Sequence, residues 1–277
     1  MKKNNLLIKL ATYVVLLAAS WAILAPLSIM LFSSLKSKKD LLENPTGLPS
    51  EWIFSNYAAA WEKGNMIRNS FNSIIVTGFS VAIVVVFGSL AAYAITRIKV
   101  GSIAGWTLSA FMLGLILPAS AGLIPLFTQI HNMGLFDTRT GLILIYSAQC
   151  MSMTVFIFSK FFITIPSEIE ESARMDGLNH WKTFWIIIVP LVLPATVTVI
   201  IINTLSVWND FFNALVFLST PEKQTLPLGL IAFKGQFSTD WSQLFAASII
   251  IAFPILLLYL FLQRYLIDGL TAGSVKG

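Results

Sequence analysis

The chain has 277 residues, of which 56% are hydrophobic and 11% charged, with a formal net charge of +5. Soluble domains carry roughly 25% charged residues, so the composition excludes a globule coated by water on all sides. The pI of 9.3 suits a protein facing anionic lipid and requires no nucleic acid.

A helix needs about 20 apolar residues to cross a hydrocarbon core of roughly 30 Å. Such runs must be helical, because lipid leaves every peptide group to find its partner within the chain. Six runs meet the length: about 10–32, 71–95, 106–128, 141–163, 186–208 and 244–263. The expected fold is an all-α membrane protein of six transmembrane helices in one domain, residues 1–277. The first run exceeds the roughly 7–15 apolar residues of a secretory signal, so it reads as an anchor and not as a cleaved leader. The polar segment after it, 35–69, has turn residues at Pro45, Gly47 and Pro49 and a short helix expected over Asn56–Trp61.

Six crossings put both termini on one side. With the N-terminus inside, ten of the 18 Lys and Arg lie on the inner segments, and the linker Thr96–Ser102 has two bases and no acid. That pattern fits cytoplasmic termini. No Asp, Glu, Lys, Arg or His lies deep within any run. Proton-coupled carriers and voltage sensors place ionisable groups there, so a moved solute is expected to be neutral, with its energy supplied elsewhere. The lone cysteine, Cys150, permits no intrachain disulfide, and His131 and His180 have no partners at metal-ligand spacing.

Pro118 and Pro125 each remove a helix hydrogen bond in the third run. A broken helix lining a cavity and a packed kink both fit. The fourth run carries Gln149, and the end of the fifth carries Asn203, Ser206, Trp208 and Asn209. Amides, hydroxyls and indole faces suit sugar hydroxyls and rings along a path; they equally suit bonds between neighbouring helices.

Between the fourth and fifth runs, residues 165–190 concentrate Glu168, Glu170, Glu171, Asp176, Arg174 and Lys182. Such a segment belongs in water. Ser167 with Glu170 three residues on fits a capping box, with a helix running to about Asp176. Gly177 supplies a left-handed stop, and Leu178–Phe184 makes a second short helical turn.

Glu171-Ser172-Ala173, three residues, Gly177, nine residues, Ile187, one residue, Val189 and Pro190 resemble the Glu-Ala-Ala loop of ABC importer permeases. Ser172 stands for the first alanine and Val189 for a leucine. FNSIIVT (71–77), WNDFFNAL (208–215) and the tail QRYLIDGLTAGSVKG (263–277) are similar to the second permease subunit of carbohydrate-uptake, maltose-type transporters. The resemblance implies a type I importer permease in a bacterial cytoplasmic membrane, with 165–190 as the coupling loop. It implies a homologous second permease, two ATPase subunits that carry ATP and magnesium, and an extracytoplasmic sugar-binding protein. Glu171, Ser172, Ala173, Arg174, Asp176 and Gly177 would meet the ATPases, while Lys234, Gln236, Asp240 and Trp241 would meet the binding protein. The chain contains no phosphate-binding loop of its own and would not be an enzyme. A permease for another solute class is the alternative.

Overall fold

The computed structural model describes residues 2–98, 101–117, 119–235 and 239–272. Pro118, Gln236 and the last five residues of the tail lie outside them. The helices in chain order are α1 Lys2–Ser34, α2 Lys38–Glu43, α3 Ser55–Lys63, α4 Met66–Arg97, α5 Gly101–Ile116, α6 Leu123–Asn132 and α7 Arg139–Thr164. They continue with α8 Ser167–Met175, α9 His180–Thr183, a π-helical turn Phe184–Ile188, α10 Val189–Leu191, α11 Leu193–Trp208, α12 Phe212–Phe217 and α13 Trp241–Ala272. Among the described residues there is no strand, only an isolated bridge between Lys234 and Thr239.

Four helices, α1, α4, α7 and α13, are each long and apolar enough to span a bilayer. The other two runs depart from single straight spans. The third is interrupted: α5 stops at Ile116, a 3₁₀ turn covers Ala119–Gly122, and α6 restarts at Leu123. At 1.5 Å per residue, the 16 residues of α5 reach only about 24 Å. The fifth bends by 76° between His180–Leu191 and Leu193–Trp208. Two prolines explain the bend: Pro190 and Pro194 cannot donate to the preceding turn, and the helix loosens into the π turn ahead of them. Counted as one broken span, this pair brings the candidates to five.

The described chain forms two compact units, Met1–Ile67 with Gly229–Phe253, and Arg68–Leu228 with Pro254–Gly277. In the first, the side chains of α1 from Leu10 to Leu24 stand exposed, so lipid or another chain must cover them. Below α1, Asn56 Nδ2 donates to the carbonyls of Ser34 and Lys36, both at 2.9 Å. The Lys36 ammonium, wholly buried, donates to the Asn44 carbonyl at 2.5 Å. Asp40 takes the backbone N–H and hydroxyl of Ser50, both at 2.9 Å, which hold its carboxyl below the usual range. The Asn56–Trp61 helix expected from sequence lies within α3.

The second unit is built on α7, which packs against α5, α11 and α12. One core gathers about its N-terminal half, with Leu142, Ile145 and Tyr146 against Ile130, Val207 and Phe217. Another gathers about its C-terminal half, with Phe158 and Phe162 against Tyr93, Phe184 and Val199. Two glycines permit close approach to α7. A Cβ on Gly88 would lie 2.5 Å from Thr154 Cγ2, and one on Gly114 would lie 2.6 Å from Ser152 Oγ. Small residues at helix crossings are how membrane helices gain contact without a hydrophobic drive between them. Gly88→Leu is therefore expected to lower stability by about 1–3 kcal/mol through overpacking. Thermal unfolding in detergent, with Gly78→Leu as the control because no atom lies within 4 Å of its Cβ position, checks this.

Candidate functional site

The hairpin 165–184 folds as its sequence dictates, with one correction at its start. α8 ends at Asp176, where Leu178 N–H donates to Ala173 O and Gly177 N–H to Arg174 O, both at 3.0 Å. Gly177 has φ +81°, the left-handed conformation that this paired closure requires. Asn179 caps α9 by accepting from Lys182 N–H at 2.9 Å. The capping box does not form. Pro166 is the N-cap and makes no side-chain cap bond, and Ser167 is already helical. Glu170 turns inward instead of reaching back, because a largely covered arginine awaits it.

That arginine is Arg97, at the C-terminus of α4. Its Nε lies 3.2 Å from Glu170 Oε1, and Tyr93 Oη donates to Glu170 Oε2 at 3.3 Å. Arg97 Nη2 also donates to Phe162 O and, at 2.5 Å, to Ile165 O, the last carbonyls of α7. Glu170 is 3% exposed. Removing one partner of such a buried pair typically costs about 3–5 kcal/mol, since the other charge is left uncompensated. Sequence reasoning gave Glu170 only a cap role and Arg97 only a place in the charge count. Glu170 stands three residues before Ala173 and so shares its helix face, but nothing local in the sequence names Arg97 as its partner.

Of the residues expected to meet the ATPases, all but Ala173 lie on the opposite face. Glu171, Ser172, Arg174, Asp176 and Gly177 are exposed, and Ala173 is buried. Beside them, Met175 is 83% exposed and Trp181 60%. Sequence analysis passed over these two, yet they give the charged knob an apolar tip.

The five path residues separate. Asn203 is buried, donating to Thr154 Oγ1 and Val199 O, both at 2.9 Å, so its amide ties α11 to α7. Trp208 is buried and lines an apolar cavity of about 560 Å³ with Val81 and Val85 of α4 and Pro254 of α13. That cavity offers Thr77 and Thr204 as its hydroxyls and does not suit a polyol. Gln149, Ser206 and Asn209 are exposed. Gln149 and Asn213 exchange amide contacts at 3.3 and 3.4 Å. Asn213 is held by Asp210, whose Oδ1 accepts from Asn213 N–H and Tyr146 Oη, both at 2.8 Å. Asp210 and Asn213 thus join Gln149 in a polar cluster that single-residue reasoning did not assemble.

Of the outer-loop residues, Lys234 and Trp241 are exposed. Asp240 pairs with Lys38 at 3.0 Å and accepts from Gln243 N–H, so it serves the fold of its own unit.

The loop after α12 is clasped from two sides. Asn72 Nδ2 donates to Glu222 O at 3.0 Å and Gln224 O at 2.8 Å, and Ser73 Oγ accepts from Leu226 N–H at 2.7 Å. This accounts for the polar pair inside FNSIIVT. Asp137 accepts from the N–H groups of Ser219 and Thr220, from the Thr220 hydroxyl, and from Lys223 Nζ at 2.9 Å.

These features define a multi-pass helical membrane component. Over residues 7–271 the chain matches the family described as binding-protein-dependent transport system inner membrane component, and it belongs to that family. Its members are membrane parts of transport systems, not enzymes. The chain is 36% identical over 255 residues to the melibiose/raffinose/stachyose import permease protein MelC of Bacillus subtilis, covering 91% of each chain. It is 32% identical to the diacetylchitobiose uptake system permease protein NgcG of Streptomyces coelicolor, covering 96% of this chain and 88% of that one. Its fold matches a chain of a bacterial ABC transporter that imports the acidic polysaccharide alginate, with a TM-score of 0.81, 24% identity, and 94% and 96% of the two chains covered.

Although desolvation opposes it, the hydrogen bonds from Thr220, Lys223 and Ser219 hold the Asp137 carboxyl well below its ordinary 3.8. A lowered folded value means that the stabilisation is full above 3.8 and is lost as pH falls through the folded value. Asp137→Asn is expected to destabilise the clasp at pH 7 by about 1.5 kcal/mol, the low end for bonds to a charged group. The difference from wild type should close on acidification well below pH 3.8, as read by thermal unfolding across pH.

Proposed function

We propose that this chain is the permease subunit of an ATP-driven importer for a neutral sugar or oligosaccharide. On this reading the chain crosses the cytoplasmic membrane six times with both termini inside, pairs with a homologous permease, and works with two ATPase subunits and an extracytoplasmic sugar-binding protein. The family membership supports the binding protein, and the carbohydrates in the names of MelC and NgcG support the cargo.

The observation that carries the mechanism is the exposed hairpin. It is a rigid knob with Glu171, Arg174 and Asp176 as charged anchors, Ser172 and Gly177 as points of close approach, and Met175 and Trp181 as apolar contacts. It is closed by a left-handed glycine, so an ATPase that gripped it would move it as one body. The ATPases hold and hydrolyse the nucleotide; this chain supplies the lever and part of the path.

The path reading rests on depth. Gln149 lies ten residues into α7 from Arg139, about 15 Å along the helix and half the thickness of a hydrocarbon core. An exposed amide at that depth, paired with the half-buried Asn213, is poorly placed against lipid. Gln149 and Asn213, fixed by Asp210, offer donors and acceptors to sugar hydroxyls, with Ser206 and Asn209 beside them in sequence. Lys234, Gln236 and Trp241 are proposed as the binding-protein contact.

The whole assembly reconstituted in proteoliposomes tests this. Gly177→Pro removes the left-handed turn and the N–H donated to Arg174; it is expected to abolish uptake while insertion persists. Wild-type uptake and binding-protein-stimulated ATPase activity in that variant would reject the coupling role. Gln149→Ala with Asn213→Ala is expected to lower uptake about fivefold, the effect of roughly one neutral hydrogen bond. Unchanged uptake would assign the pair to packing. Accumulation of a neutral oligosaccharide by wild type, against none of an amino acid or of phosphate, checks the solute class.

A further inference from the structure

We propose that the Arg97–Glu170 pair is the pin through which movement of the α8–α9 hairpin reaches α4 and α7, making Arg97, Glu170 and Tyr93 positioning residues for transport. This rests on the coupling reading above and adds a route for the motion within this chain.

α8 carries its other carboxylates, Glu168 and Glu171, outward, and Asp176 at its end is exposed as well. Glu170 alone is inward, at a position where an apolar side chain would complete the face made with Ala173. A carboxylate there is costly unless paired, and the pairing found gives direction as well as charge. An apolar contact slides; a carboxylate held by a cation at one oxygen and by a hydroxyl at the other resists sliding. Glu170 Oε1 receives no hydrogen bond among the described residues and is held by the charge on Nε at 3.2 Å. Oε2 is held separately, by Tyr93 Oη.

The same guanidinium caps α7. Phe162 O and Ile165 O lie at a helix C-terminus, where carbonyls attract a cation; Phe162 O also accepts the Ile165 N–H at 3.1 Å. Arg97 therefore joins α4, the end of α7 and α8 through one group. Tyr93, one turn earlier, brings in a fourth segment: its ring meets Phe162 edge-on at 5.9 Å and Phe184 of the π turn at 5.1 Å. Beyond that turn the backbone bends by 76° before α11. Motion of the hairpin thus has a direct side-chain route to α4 and α7, whereas its backbone route to α11 passes through a proline-flanked bend.

The test uses the full transporter in proteoliposomes, comparing wild type with Glu170→Gln and Tyr93→Phe. Glu170→Gln keeps shape and acceptor but removes the charge; Tyr93→Phe keeps the ring and removes one donor. Three quantities are read: assembled complex, sugar transported per ATP hydrolysed, and cross-linking from Glu168→Cys on the exposed face to the ATPase. In Glu170→Gln the sugar-to-ATP ratio is expected to fall about tenfold, through loss of the charge attraction to Arg97 while the acceptor for Tyr93 is kept. Tyr93→Phe is expected to fall less, with assembly and cross-linking unchanged in both. An unchanged ratio in both variants overturns the pin. So does loss of uptake in step with loss of assembly in both, which would make the pair a folding element only. Should Glu170→Gln fail to assemble, the ratio in Tyr93→Phe decides alone. Absence of the cross-link in an otherwise wild-type background overturns the coupling reading itself, a result distinct from failure of the pin.

Discussion

A bilayer supplies no hydrogen-bond partner, and the placement of polar groups in this chain follows from that constraint. Backbone groups close on themselves as helices. Polar side chains among them are either satisfied within the protein or stand where something other than lipid must face them. Asn203, held by Thr154 and Val199, belongs to the first kind, as does the Asn72 amino group, held by the Glu222 and Gln224 carbonyls, whereas Asn72 Oδ1 accepts no hydrogen bond among the described residues. Gln149, exposed and paired with the half-buried Asn213 that Asp210 holds, belongs to the second. Sorting amides in this way separates helix cement from candidate path more sharply than residue type does.

Much of this was legible in the sequence, and what was not has identifiable causes. Hydropathy windows located the long apolar runs because burial in lipid depends on summed composition. The same averaging blurs the stop of α5 at Ile116, although Pro118 and Pro125 point to an interruption there, and it conceals the bend at Val192, which lies between two residues that lack an N–H. The glycine elbow was legible because a left-handed residue has few sequence solutions, and Gly177 at φ +81° is one of them. The capping box failed for a different reason. Ser167 and Glu170 satisfied its spacing, but a local rule cannot register a cation contributed from 73 residues away, and the Arg97 guanidinium offers a buried carboxylate more than a helix N-terminus does. Asp210 and Asn213 were missed because they lie just past a run, where the chain turns back beside α7 instead of leaving it.

On the proposed reading, the two halves of α7 divide the work between path and lever. Around its N-terminal half the polar side chains cluster toward an exposed face, and the clasp by Asp137, Asn72 and Ser73 steadies the loop that follows α12. Around its C-terminal half nearly everything is aromatic or apolar, and the one charged pair is enclosed. A selective path needs groups that a solute can touch and displace, whereas a lever needs groups that nothing can displace. The first requirement favours exposed neutral amides, whose bonds exchange readily with hydroxyls and water. The second favours a dry ion pair, which is expensive to open and specific in angle. That one helix meets both, with Gln149 and Ile165 16 residues apart, means that a displacement imposed at its Ile165 end would be carried along a single rigid element to Gln149. Close-packed interiors shift between discrete arrangements and do not deform smoothly, and the glycine contacts of α4 and α5 along α7 leave little slack in which such a shift would be absorbed.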